Sequence, residues 1–163
     1  MIHLSDKQIA EFWHRSYAAA DGLWFVKVEG RHGFDDALDI DNEVWKVLAK
    51  IQARMLKSIC KVEKGLDGLY ECLTTRLQLE GFDFEARKTG GAGFEVSIRR
   101  CPWHELMVKS GREKLSGIVG TLICNTEYSA WASEFGEDIR FELGEQVCKG
   151  AGVCVLRFEP TGH

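Results

Sequence analysis

The spacing of the apolar residues changes near residue 81, and this change limits the folds open to the chain. Before it, apolar side chains recur every three or four residues, the period of a helix that buries one face. After it, they alternate with polar residues in short runs, the period of a half-buried strand. The change predicts helices first and antiparallel hairpins later, without the βαβ alternation of a parallel sheet.

Three helices are predicted in residues 1–81. Ser5 is a suitable N-cap for the first helix, Asp39 or Asp41 for the second, and the third should stop at Gly81. The second helix has the clearest apolar stripe, formed by Val44, Leu48, Ile51, Met55 and Ile59.

The second half predicts one hairpin over residues 82–98 and another over 139–158, with one helix around 115–133 between them. In the second hairpin, the alternation of Ile139, Phe141, Leu143 and Val147 predicts one strand, and Cys154 begins the other. The fold class is therefore α+β: N-terminal helices packed on an antiparallel sheet of two hairpins. We expect one domain over 1–163, with a helical part (1–81) and a hairpin, helix and hairpin part (82–163) that holds a metal site.

Composition excludes some classes of function. A formal net charge of −4 does not provide the excess of Lys and Arg that binding to nucleic-acid phosphates requires. No run of 18 apolar residues exists to span a membrane, and the first residues lack the pattern of an export signal. Six cysteines in such a chain are expected to be reduced thiols, so the expected compartment is the cytoplasm.

Four of the six cysteines fall in the last 63 residues, and they predict a metal site: Cys101, Cys124, Cys148 and Cys154. Zinc suits a closed tetrahedral set of thiolates, ahead of an iron–sulfur cluster. The spacing is not that of a zinc finger, and four inert core thiols are the alternative. Cys60 and Cys72, on predicted helices, are interpreted as core thiols.

Glu145 is a further candidate ligand. It shares the parity of Ile139, Phe141 and Leu143 on the predicted strand, and a carboxylate on an inward face needs a partner such as a metal. A solvent-facing Glu145 at a twisted strand end is the alternative.

Three segments carry a resemblance to a known family: Gly117–Cys124 (GIVGTLIC), Trp131–Gly136 (WASEFG) and Glu145–Phe158 (EQVCKGAGVCVLRF). They resemble the small-ligand-binding domain of the 4-vinyl reductase type. In that family a helix Cys, a Glu and two closing Cys bind zinc, which implies Cys124, Glu145, Cys148 and Cys154 here.

The ending Gly150–Phe158 is also similar to L-2-amino-thiazoline-4-carboxylic acid hydrolase-like proteins, in which cysteines at the positions of Cys101 and Cys124 precede it. Both resemblances cover roughly residues 94–160. They leave Cys101 and Glu145 as alternatives for the fourth ligand.

Three functions follow as expectations. The first is a zinc-containing module that binds a small apolar or aromatic molecule, with Trp13, Tyr17 and Trp24 as a candidate apolar pocket. The second is a hydrolase of a small cyclic or amide substrate, with Cys101, His104 or a metal-bound water as the reacting group. The third is an interaction subunit without catalysis that pairs through its helices, with which a homodimer is compatible.

Overall fold

A computed structural model of the chain describes residues 2–90 and 92–162. The chain divides into two compact units, Met1–Asp41 and Asn42–His163. A single domain over 1–163 stays a prediction.

The first unit holds helix α1, Asp6–His32, and the first residues of helix α2, Phe34–Cys60. Ser5 caps α1 as predicted, and the cap is reciprocal: the Gln8 backbone N–H donates to Ser5 Oγ at 3.3 Å, and the Ser5 N–H donates to Gln8 Oε1 at 2.9 Å. The helix ends at Gly33, whose φ of 94° suits glycine.

The predicted cap of the second helix at Asp39 or Asp41 is wrong. Helix α2 begins at Phe34, directly after Gly33. The acids that complement its N-terminal dipole are therefore Asp35 and Asp36 in the first turn. Propensity alone could not separate these positions, because four aspartates lie within seven residues.

The second unit contains the rest of α2, three further helices and four strands. The elements are α3 (Leu66–Leu79), β1 (Asp83–Lys88), β2 (Phe94–Arg100), α4 (Pro102–Lys109), α5 (Glu113–Phe135), β3 (Ile139–Leu143), a short 3-10 helix (Val147–Lys149) and β4 (Cys154–Pro160). The strands form one antiparallel sheet in the order β1-β2-β4-β3. The predicted α+β class, with helices first and antiparallel strands after them, is confirmed.

Two details of the second half differ from the prediction. Two helices lie between the hairpins rather than one, because α4, with Pro102 in its first turn, is only 8 residues long and too short to show a period. Strand β3 ends at Leu143, so Val147 lies in the 3-10 helix and not in the strand.

The core of the second unit lies between the sheet and helices α3 and α5. Phe94 and Phe158, paired across β2 and β4, stack with ring centroids 4.7 Å apart, and Phe141 of β3 extends the group. The largest fully buried side chains are Trp131, Phe135, Phe158, Leu69, Leu73, Leu77, Leu156, Val96 and Cys72. On α2, Arg54 forms a two-pronged ion pair with Glu134 of α5, with N–O distances of 2.8 and 2.7 Å.

None of the helices in the described ranges has the length and apolar character needed to cross a membrane.

Candidate thiol site

Antiparallel pairing brings Cys101 and Cys154 to the same end of the sheet. Cys154 begins β4 and stands opposite Ile98, near the end of β2. Cys101 follows β2 directly and is the N-cap residue of α4. The sulfur of Cys154 accepts a hydrogen bond from the Val147 N–H at 3.2 Å, which ties β4 to the 3-10 helix.

Two glycines on α5 let the 3-10 helix approach closely. A Cβ added at Gly120 would lie 3.0 Å from Cys148 Sγ, and one at Gly117 would lie 3.1 Å from the Cys148 carbonyl oxygen. Thr121, between them and Cys124, donates to Gln146 Oε1 at 2.8 Å. The small residues of the segment Gly117–Cys124 therefore serve to seat the Cys148 loop against α5.

Cys124 interacts electrostatically with the other three thiols of the group. Burial raises its pKa well above the usual value, and Glu127, Cys101, Cys154 and Cys148 raise it further. Each of the four cysteines is a free, partly buried thiol. The other three cysteines that the sequence singled out therefore lie within electrostatic range of Cys124.

The other three thiols share the same direction of shift. Burial raises the pKa of Cys101 to about 12, against the lowering effect of the His104 and Trp103 backbone N–H groups. Burial also raises the pKa of Cys148 and of Cys154. All four thiols are therefore protonated near neutral pH unless a cation joins them.

A buried ionic group lies beside the thiols, and it was not foreseen. Arg76 of α3, 3% exposed, forms ion pairs with Glu80 at 3.0 Å and with Glu127 of α5. Trp103 Nε1 adds a hydrogen bond of 3.4 Å to Glu80. Glu127 lies one turn from Cys124 on α5, so the i, i+3 spacing was the available indication. The Arg76 guanidinium is therefore shared by two carboxyl groups, one of which, Glu127, interacts with the Cys124 thiol.

Several predicted residues lie outside this group. Glu145 follows β3, its side chain is exposed, and its carbonyl oxygen accepts from the Val155 N–H. The acid that faces Cys124 is Glu127 instead. Trp13, Tyr17 and Trp24 lie on α1 in the first unit, where both tryptophans are 66% exposed.

The two cysteines on helices α2 and α3 differ in burial. Cys72 is fully buried in α3, as predicted, whereas Cys60 at the end of α2 is exposed, so its interpretation as a core thiol is wrong. Cys60 is the last residue of its helix, where the apolar period no longer decides the burial of a side chain.

The arrangement gathers donors without completing a coordination sphere. In residues 2–90 and 92–162, no group of three or more His, Cys, Asp or Glu side chains is placed closely enough to hold a metal ion. Zinc at these cysteines therefore stays a prediction, as does an iron–sulfur cluster. The donor chemistry fits zinc, since soft sulfur ligands are those it prefers.

Together the fold and the site define an α+β protein with a cluster of four thiols beside a buried ionic group. The chain belongs to a family of unknown function, DUF6125, whose profile matches residues 4–148. The match includes Cys101, Cys124 and Cys148, and it ends before Cys154. No curated protein matches the chain.

Proposed function

We propose that the Asn42–His163 unit is a zinc-binding module in which Cys101, Cys124, Cys148 and Cys154 bind one ion. The observation that carries the proposal is the electrostatic interaction of Cys124 with Glu127 and with the three other thiols, together with the close approach of Cys148 Sγ to Gly120 of the same helix. Soft thiolate donors favour zinc over hard cations such as calcium or magnesium.

The electrostatic environment of Cys124 favours a cation at this position. Glu127 and each of the other three thiols raise the pKa of Cys124, because their negative charges would repel its thiolate. A divalent ion would reverse that repulsion, since a coordinated thiol loses its proton. Binding would release protons. The cysteine side chains would also have to change rotamer, since no group of three or more donors in residues 2–90 and 92–162 is placed to hold a metal, and their staggered χ1 states allow such a change.

The hydrolase alternative, with Cys101 or His104 as the reacting group, has less support. A cysteine nucleophile acts as the thiolate, and a pKa near 12 keeps the Cys101 thiol protonated. A small apolar or aromatic ligand at Trp13, Tyr17 and Trp24 also stays a proposal. With both tryptophans 66% exposed, such a ligand would contact an open surface of α1.

The test is metal content by plasma mass spectrometry on untagged protein expressed with zinc. We expect about one zinc per chain in the wild type. Cys124→Ser and Cys154→Ser should lose the metal, since each removes one donor. Cys60→Ser is the matched control and should retain it. Iron with sulfide in place of zinc would contradict the choice of metal.

Glu145→Gln and Cys101→Ser separate the two candidates for the fourth ligand. We expect Cys101→Ser to lose zinc affinity and Glu145→Gln to retain it, because the Glu145 side chain is exposed. A chelator should lower the melting temperature of the wild type and leave Cys124→Ser unchanged. A wild type without metal, or equal losses in all variants including Cys60→Ser, would refute the proposal.

A further inference from the structure

Helix α2 has two apolar faces in the second unit. One face is buried in the core: Trp45, Ala49, Ala53 and Leu56. The opposite face is apolar and exposed, with side chains between 44% and 66% exposed: Val44, Val47, Ile51, Met55 and Ile59. We call these five residues the α2 stripe. A row of this kind on the outer face of a helix is typical of a protein interface.

The charges of α2 are separated by sign along the helix. Residues 35–43 contain five acids and no Lys or Arg, and residues 46–57 contain four bases and no acid. A helix with this pattern repels a parallel copy of itself and attracts an antiparallel one, because the antiparallel copy sets each acidic half beside a basic half.

The apolar spacing agrees with the same arrangement. With a two-fold axis at Val47, residue i of one copy is level with residue 94 − i of the other. Val44 then lies within one residue, about 1.5 Å along the axis, of the level of Ile51 in the other copy, and Met55 is level with Asp39, next to Ile40. Glu43 and Lys50, both exposed, likewise lie within one residue of the same level between copies. A two-fold interface uses the same patch on both subunits, and the α2 stripe meets that requirement.

We propose that the α2 stripe is a dimer interface in which a second copy of this chain binds antiparallel through its own α2. The apolar side chains supply the affinity, and the charge segregation selects the orientation. The proposal is independent of zinc binding, since it rests on the outer face of α2.

The first test measures mass by sedimentation equilibrium over a range of concentrations. We expect the wild type at twice the mass of the single chain. Val47→Glu should give the single-chain mass, because the axis would place two carboxylates against each other. Leu79→Glu is the matched control: Leu79 is 66% exposed on α3, and the variant should remain dimeric. Circular dichroism checks that Val47→Glu is folded, as expected for an exposed position.

The second test addresses orientation. Glu43→Lys or Lys50→Glu alone should raise the dimer dissociation constant about tenfold at low salt, since the symmetric interface loses each pair twice. The double variant should restore it. A monomeric wild type, a dimeric Val47→Glu, or a double variant no tighter than the single ones would overturn the proposal.

Discussion

Helices α1 and α5 have similar lengths, 27 and 23 residues, and they are held in opposite ways. Every residue of α1 is at least partly exposed, whereas α5 buries seven residues, Trp131 among them. Conversely, α1 has a complete capping box, and the N-cap residue of α5, Arg112, makes no side-chain capping hydrogen bond. Local signals can therefore define a helix that buries none of its own residues, and a core can hold a helix whose N-terminus is poorly capped.

The largest expected effect comes from the matched tryptophans of the two helices. Trp131→Ala on α5 should lower the free energy of unfolding by about 3–5 kcal/mol, because it opens a cavity in the core. Trp24→Ala on α1 should change it by less than about 0.5 kcal/mol, because the side chain is exposed. Urea unfolding followed by circular dichroism measures both. Similar losses in the two variants would show that α1 is buried against something in solution.

Burial also makes the second unit sensitive to alkaline pH. Burial raises the pKa of the Cys72 thiol from 9.0 to about 11, with Cys60 adding to the shift. The unfolded chain therefore releases this proton first, so the unfolding free energy should fall between pH 9 and about 11. The loss is about 1 kcal/mol for each pH unit within that window.

Cys72→Ala should remove the contribution of the Cys72 thiol to the pH dependence of the unfolding free energy. The substitution also lowers that free energy at every pH, because it opens a small cavity. The check is urea unfolding at several pH values from 8 upward. An unchanged slope in Cys72→Ala would contradict the assignment.

The smallest expected effect is at the cap of α1. Ser5→Ala should cost about 1 kcal/mol of local helix stability, because it removes the acceptor for the Gln8 N–H. Amide hydrogen exchange should accelerate in the first turn of α1, while the unfolding free energy of the second unit stays the same. Ser16→Ala, inside α1, is the control and should leave the first turn unchanged.

The sequence predicted the elements well where a signal was local and long. The capped start of α1, the end of α3 before Gly81 and the alternation of Phe94, Val96 and Ile98 each depend on neighbours within a few residues. Short or ambiguous signals failed: α4 has only eight residues, and several aspartates competed for the cap of α2. The alternation of apolar residues predicted that the strand continues to Val147. Alternation alone could not show that β3 ends at Leu143.

The candidate site was predicted in part. The concentration of Cys101, Cys124, Cys148 and Cys154 in the last 63 residues was visible in the sequence, and in the structure Cys124 interacts electrostatically with the other three. A metal site at these cysteines stays a prediction. The buried role of Arg76 and Glu127 was not visible, because they lie 51 positions apart and on different helices. Glu145 was interpreted from strand parity, which no longer applies once β3 has ended.

The sequence by itself determined that helices precede strands, the capped start of α1 and the charge division of α2, because spacing, capping and charge act between neighbours in the chain. Only the tertiary structure decided which thiols and charges meet and which apolar face of α2 is buried. Apolar residues recur at helical spacing on both faces of α2. The buried face is the one against which segments distant in the sequence pack. Such contacts depend on strand register and packing over long separations, which no local pattern encodes.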